Sequence, residues 1–264
     1  MISKNKIKYI HSLELKKNRN KEGKFVAEGH KVVGDLLDLR PAELIVATAE
    51  WLNGKHLAPA TEVIEVTEEE LRKVSFLQHP QQVLAIFKQD LDLAEGEEGK
   101  KDKEGLRGFS PIDCTKLSLA LDGVQDPGNL GTIIRIADWF GIENIYCSQD
   151  TADVYNPKVV QATMGSIARV KVEYGDLQGL ISSLPDDMPV YGTLLDGDNI
   201  YEQELTDRGI IIMGNEGKGI SPAMAEKVNR KLLIPNFPEG RPTADSLNVA
   251  IATAITCSEF RRRK

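Results

Sequence analysis

Apolar and polar positions along this 264-residue chain follow two periods and divide it into two stretches. In the first, ELIVAT (43–48), EVIEV (62–66) and QVLAIF (82–87) predict short strands, and KVVGDLLDL (31–39) carries a Val/Leu stripe at helical spacing. Residues 1–90 therefore read as a small α/β domain. In the second, LSLALDGV (117–124), IENIYCS (142–148), VYGTLL (190–195), GIIIMG (209–214) and KLLIP (231–235) predict strands. Helical patterns around 132–140, 158–166, 177–184, 221–228 and 246–261 alternate with them. Strand alternating with helix predicts a mostly parallel sheet with helices on both faces. Between the two lies LDLAEGEEGKKDKEGLRGFSPIDCTK (91–116), rich in Gly, Glu and Lys and poor in apolar residues, which predicts a flexible tether. The chain is thus read as 1–90, a tether at 91–116, and a second domain at 117–264.

A hydrophobic content of 41% excludes a disordered chain. No apolar run approaches the roughly 18–20 residues of a membrane helix, and MISKNKIKYI lacks a signal peptide's apolar core, so a cytoplasmic protein is expected. Cys114, Cys147 and Cys257 are scattered without a CxxC pair, which offers neither a disulfide framework nor a zinc cage. The net charge of −7 argues at first against a nucleic-acid partner. Its distribution reverses that. Residues 1–31 hold nine bases against three acids, and the chain closes with Arg261, Arg262, Arg263 and Lys264, whereas residues 117–264 carry 14 bases against 20 acids. Both basic ends are read either as solvated helix faces or as RNA contacts.

All four histidines precede the tether. The second domain can therefore use no histidine base, Ser-His-Asp triad or histidine-ligated metal, and its chemistry falls to Asp, Glu, Lys, Arg, Tyr, Asn, Ser or backbone. Three loops stand at the C-terminal ends of predicted strands, where open α/β sheets bind ligands. In DGVQDPGNLGTIIRIADWFG (122–141) the chain is expected to turn at Asp126–Asn129, with Thr132 as helix N-cap and Arg135 in the first helical turn beside Asn129. The alternative for Arg135 is a surface pair with Asp138. In GIIIMGNEGKGIS (209–221), Gly214-Asn215-Glu216-Gly217-Lys218-Gly219 fits neither a P-loop nor a dinucleotide fingerprint. Its glycines allow close backbone approach to a ligand, and Glu216 is read as a positioned acceptor. In KLLIPNFPEGRPTADSLNVAIATAITCSEF (231–260), Asp245 or Ser246 is expected to cap a helix, leaving Ser246 and Asn248 beside the site. From Leu247 to Ile255 that helix is apolar nearly all round, which requires burial in a three-layer core or at a subunit interface.

Together, DGVQDPGNLGTIIRIADWFG, IIIMGNEGKGIS and IPNFPEGRPTADSLNVAIATAI resemble, in order and spacing, the three signature motifs of the SpoU family of S-adenosylmethionine-dependent RNA ribose 2′-O-methyltransferases. KFVAEGHKVVGDLL (24–37) and HPQQVLAIF (79–87) resemble the small ribosomal-protein-like substrate-binding domain that many members carry. The resemblance implies a trefoil-knotted α/β methyltransferase domain and a homodimer with active sites at its interface. It assigns Asn129, Arg135, Glu216, Ser246 and Asn248 to catalysis. Gly192, Thr193, Gly214, Asn215, Gly217, Gly219, Ile234, Pro235 and Leu247 are assigned to S-adenosylmethionine. Two features depart from the family pattern: a longer loop between Pro235 and Ser246, and Ala250 where serine is frequent.

The implied substrate is structured RNA, with rRNA favoured, tRNA as runner-up, and a non-catalytic RNA-binding assembly factor as the rival of another class. Neither a membrane nor a metal is implied. Methyl transfer from a sulfonium to a hydroxyl requires orientation of two partners and removal of a proton. A guanidinium stays protonated in proteins. Arg135 is therefore expected either to accept the proton with help from burial and an RNA phosphate, or to hold phosphate and hydroxyl while another group or water takes it.

Overall fold

The computed structural model describes residues 2–89, 109–238, 241–242 and 244–262. They form two compact units, one holding the described residues of Met1–Glu97 together with Asp153–Ala168, the other those of Glu98–Ala152 and Arg169–Lys264. Of the expected tether, residues 91–108 lie outside the described residues. Residues 109–116 belong to the second unit: Phe109, Ile112 and Cys114 pack on its core, and the Ser110 backbone N–H donates to Glu173.

In the first unit the order is α1 (Lys4–Ser12), α2 (Lys16–Glu22), β1 (Lys24–Glu28), α3 (His30–Leu37), β2 (Leu44–Ala47), the single turn α4 (Ala49–Leu52), β3 (Glu62–Glu65), α5 (Glu68–Val74) and β4 (Val83–Lys88). The helix expected at 31–39 and all three expected strands form with shifted ends. Strand β1 was not expected. Nearly all of it is buried, so it lacks the period-two alternation that marks a half-exposed strand. The sheet runs β1-β4-β2-β3, with β4 antiparallel to both neighbours and β2 parallel to β3. Ile10, Leu13, Val46, Leu84 and Ile86 form its core.

The basic residues of this unit are not all surface charges. Arg19 is 1% exposed. Its Nη1 donates to the carbonyls of Leu13 (2.9 Å) and Glu14 (2.5 Å), which follow α1, and Nη2 donates to Asp153 Oδ2 at 2.5 Å. Only its Nε finds no partner.

The second unit begins with β5 (Leu117–Asp122), α6 (Pro127–Trp139) and β6 (Asn144–Cys147). The chain then contributes to the first unit: α7 (Pro157–Ala162) packs on β1, Tyr155 lies 4.7 Å from Phe25 between ring centroids, and the 3-10 turn Ser166–Ala168 packs on α3. The helix expected at 158–166 is thus shorter and lies with the N-terminal sheet. Next come β7 (Lys171–Tyr174), α8 (Leu177–Ser182), β8 (Val190–Asn199), β9 (Gly209–Gly214), the single turn α9 (Pro222–Ala225), β10 (Arg230–Leu233) and α10 (Val249–Arg262). Strand β7 was not anticipated, and the helix expected over 221–228 is reduced to α9.

All six strands are parallel, in the order β10-β8-β9-β5-β6-β7. Ala120, Ile210 and Ile212 pack with Leu177, Ile181 and Met224 of the helices, while the alternate residues Leu119, Leu121, Ile211 and Met213 are equally buried on the other face. Continuous apolar strands such as GIIIMG follow from burial on both faces. From β5 the chain crosses to β6 on one side, and from β9 to β10 on the other. The crevice at a topological switch point therefore opens between the C-terminal ends of β5 and β9. No helix among the described residues is long and apolar enough to cross a membrane.

Candidate active site

The loop after β5 enters α6 nearly two turns earlier than expected. Asp126 is the N-cap, its Oδ1 accepting from the Asn129 N–H at 2.8 Å, and Pro127 occupies the first helical position. Thr132 is not the cap; it lies inside the helix, its Oγ1 donating to the Gly128 carbonyl. Asp-Pro at N-cap and N1 is a start signal that the two nearby glycines masked. Asn129 consequently stands in the first turn, and Arg135 lies about two turns in instead of beside it.

Glu216 reaches across the switch point to this helix start. Its carboxylate accepts from the backbone N–H groups of Gln125 (3.3 Å) and Asp126 (3.2 Å) and from Asn129 Nδ2 (3.0 Å). Asn129 Oδ1 in turn accepts from Asn248 Nδ2 at 3.0 Å. Asn248 Oδ1 accepts from the N–H groups of Ala250 (2.9 Å) and Ile251 (3.3 Å), so Asn248, rather than Asp245 or Ser246, caps α10. The polarity of this chain is forced. An ionised carboxylate only accepts, which turns the Asn129 amide nitrogen towards it and its oxygen towards Asn248. All three loops are thereby locked into one network.

Burial tends to push the Glu216 carboxyl up, but the hydrogen bonds from Asn129 and from the Asp126 and Gln125 backbone outweigh it and hold the group below its ordinary value. A depressed folded-state value contributes stability above the unfolded value that is lost as pH falls through the folded one. The gap in melting temperature between the wild type and Glu216→Gln is therefore expected to shrink on acidification from about pH 7 to pH 3. A constant gap would contradict this.

The glycine-rich loop serves itself more than a ligand. Asn215 donates through Nδ2 to the Gly123 carbonyl (2.7 Å), and its Oδ1 accepts from the N–H groups of Gly217 and Lys218. The N–H of Gly219 is also taken up, by the Asn215 carbonyl at 2.9 Å. A side chain at Gly214 would sit 2.2 Å from the Gly219 backbone, and one at Gly192 would meet Val228 at 2.6 Å. Close packing within the unit thus accounts for both glycines.

The remaining candidates gather along one sheet edge. Gly192 and Thr193 on β8, Gly214 ending β9, and Ile234 and Pro235 just after β10 stand on three adjacent parallel strands. Thr193 and Ile234 are half-buried, and Leu247 is 50% exposed. This edge offers apolar side chains and strand-end backbone, a lining suited to an adenine ring and its ribose. Ser246 is exposed and makes no hydrogen bond to the network. Arg135 is exposed and has no hydrogen-bond or ion-pair partner among the described residues. The expected alternative partner, Asp138, is instead held by Arg169, with Nη2 to Oδ2 at 2.8 Å.

Burial pushes the Cys257 thiol up to about 12 and raises that of Cys147 as well, so neither supplies a thiolate. Among the described residues no group of His, Cys, Asp and Glu side chains is placed to hold a metal ion.

Residues 116–258 match the model of the SpoU rRNA methylase family. The chain belongs to the SpoU family. Residues 4–85 match the MRM3-like substrate binding domain. Among curated proteins, the Bacillus subtilis 23S rRNA (guanosine(2553)-2′-O)-methyltransferase RlmP is 29% identical over 259 residues, covering 97% of this chain and 96% of its own. A TrmH-family protein from Porphyromonas gingivalis superposes with a TM-score of 0.83 at 39% identity over the whole of both chains. The AdoMet-bound rRNA methyltransferase from Sinorhizobium meliloti superposes with a TM-score of 0.81 at 31% identity, covering 100% of this chain and 96% of its own. These matches extend over both parts of the chain.

Proposed function

We propose that this SpoU protein transfers the methyl group of S-adenosylmethionine to a ribose 2′-hydroxyl of ribosomal RNA. The observation that carries the reading is the Glu216–Asn129–Asn248 network at the switch point, with Arg135 unpartnered among the described residues on the helix whose first turn holds Asn129. When bound, S-adenosylmethionine supplies an electrophilic methyl group. Gly192, Thr193, Gly214, Ile234, Pro235 and Leu247 hold it at the strand ends. Asn215, Gly217 and Gly219 act by fixing the loop, since their N–H groups are already engaged. The locked amides of Asn129 and Asn248 shape the ribose site, to which Ser246 contributes its hydroxyl, and their rigidity lowers the orientational cost of the displacement.

Arg135 engages the RNA. Two roles suit it: holding a phosphate and the hydroxyl while water takes the proton, or relaying it, the guanidinium passing one of its own protons to that phosphate as it takes the hydroxyl's. The 2′-hydroxyl is both nucleophile and the group that distinguishes RNA from DNA. The displacement needs no metal ion, and an rRNA substrate places the protein in the cytoplasm.

The active form is a homodimer. Trp139 on α6 is 84% exposed, Ile251 on α10 is 53% exposed, and the two helices pack together. Arg261 Nε donates to the Phe140 carbonyl, joining the end of α10 to that of α6. Ile251→Asp is expected to convert the dimer to a monomer in sedimentation analysis; an unchanged dimer counts against this interface.

Labelled S-adenosylmethionine, incubated with the protein and with rRNA or tRNA from cells lacking it, tests the function. Label mapping to a ribose of rRNA is expected. Label confined to tRNA or to a base would overturn the substrate or the chemistry, and no transfer at all would favour an assembly factor.

A further inference from the structure

Of the nine bases in residues 1–31, four are committed within the fold. Arg19 is buried, Lys6 pairs with Glu62 at 2.8 Å, Lys24 with Glu43 at 2.5 Å and Lys31 with Asp35 at 3.0 Å. Lys4, Lys8, Lys16, Lys17 and Lys21 are exposed and have no partner among the described residues.

Helical geometry arranges these five. At about 100° per residue, the side of α2 directly opposite buried Arg19 is occupied by Lys17 and Lys21, flanked by Asn18 and Asn20, while Lys16 and Glu22 stand nearer the Arg19 side, one on each flank. In α1, Lys4 and Lys8 stand opposite buried Ile10 in the same way. Each helix thus presents two lysines four residues apart with no acid between them. Such like-charge pairs are unfavourable for a helix, and folding alone gives no reason to keep them. Their Cβ atoms are about 5–6 Å apart, comparable to the spacing of successive phosphates on a nucleic-acid strand. The Arg19 clasp, which ties α2 to the carbonyls just after α1 and to Asp153, holds this array before any ligand arrives.

We infer that the outward faces of α1 and α2 bind the sugar-phosphate backbone of the RNA substrate through Lys4, Lys8, Lys17 and Lys21, with Lys16 at the margin. The inference rests on the RNA-methyltransferase reading and names the surface that anchors its substrate. These contacts carry no base information; they set the register of the RNA on the protein. The basic C-terminus is a weaker candidate, because Arg261 is bound to Phe140 and Arg262 pairs with Glu259 at 2.8 Å, while Arg263 and Lys264 lie outside the described residues.

The test uses the full chain and a 23S rRNA transcript. Lys4→Gln/Lys8→Gln and Lys17→Gln/Lys21→Gln each remove one repulsive pair, so thermal stability should hold or rise. Each is expected to weaken RNA binding about tenfold at 0.1 M salt and to reduce the log–log salt slope by about 1.4–1.8, because each phosphate contact contributes about 0.7–0.9. S-adenosylmethionine affinity should not change. Wild-type RNA affinity and slope in both variants would overturn the inference, as would absence of RNA binding by the wild type. Weakened binding by the variants of a protein that transfers no methyl group would leave the surface standing and refute the catalytic reading instead.

Discussion

Replacement of Arg135 by alanine is expected to lower methyl transfer to RNA by about a thousandfold, the scale seen when one charge-stabilising donor is removed from an active site. Affinity for S-adenosylmethionine should be unchanged. Arg135 is exposed and contributes no hydrogen bond or ion pair to the fold among the described residues, so its removal disturbs no packing that shapes the cofactor edge. Arg135→Lys keeps the charge but loses the planar fork that holds phosphate and hydroxyl together, and should recover only part of the rate. Single-turnover transfer to rRNA, with calorimetric titration of the cofactor, reads both effects. Near-normal turnover in the alanine variant would remove Arg135 from the chemistry under either role.

Arg19→Met is expected to destabilise the protein by about 3–5 kcal/mol in urea unfolding, the cost of breaking a buried ion pair by removing one partner. The substitution strands the Asp153 carboxylate, which is 14% exposed, and leaves the Leu13 and Glu14 carbonyls without their donor. Adding Asp153→Leu should restore much of the loss, because an apolar pair of similar volume avoids the desolvation of both charges. Equal loss in the single and double variants would mean that Arg19 acts through its carbonyl hydrogen bonds and packing, not through Asp153. Deletion of residues 1–90 is correspondingly more disruptive than a single-tether picture implies. Asp153, Tyr155 and α7 would lose Arg19, Phe25 and β1, and would be left exposed within the retained chain.

Eight of the ten strands among the described residues, and the three loops, were legible because their signals are local. Runs such as GIIIMG record burial on both faces, and glycine, proline and asparagine at strand ends record turns. Family membership followed from the order of those loops. The start of α6 was also present locally, in Asp126-Pro127, but Gly128 and Gly131 favoured reading a loop, and the cap was assigned six residues late. The cap of α10 was misplaced for a different reason. Three acceptors, Asp245, Ser246 and Asn248, precede Val249 within five residues, and local preference does not rank them. Asn248 is selected because Asn129, itself oriented by Glu216, needs a donor at that point.

By itself the sequence determined eight of the ten strands among the described residues, where the three loops fall, and which polar residues those loops hold, since these depend on burial period and backbone preference within a few residues. The tertiary structure alone decided which residues meet. Glu216, Asn129 and Asn248 are 87 and 119 positions apart along the chain in their two contacts, and Arg19 and Asp153 are 134 apart. It also decided which charges remain free. A lysine that pairs with glutamate and one that faces solvent are the same letter in sequence, and only the packing of α1 and α2 separates Lys6 from Lys8 and Arg19 from Lys17.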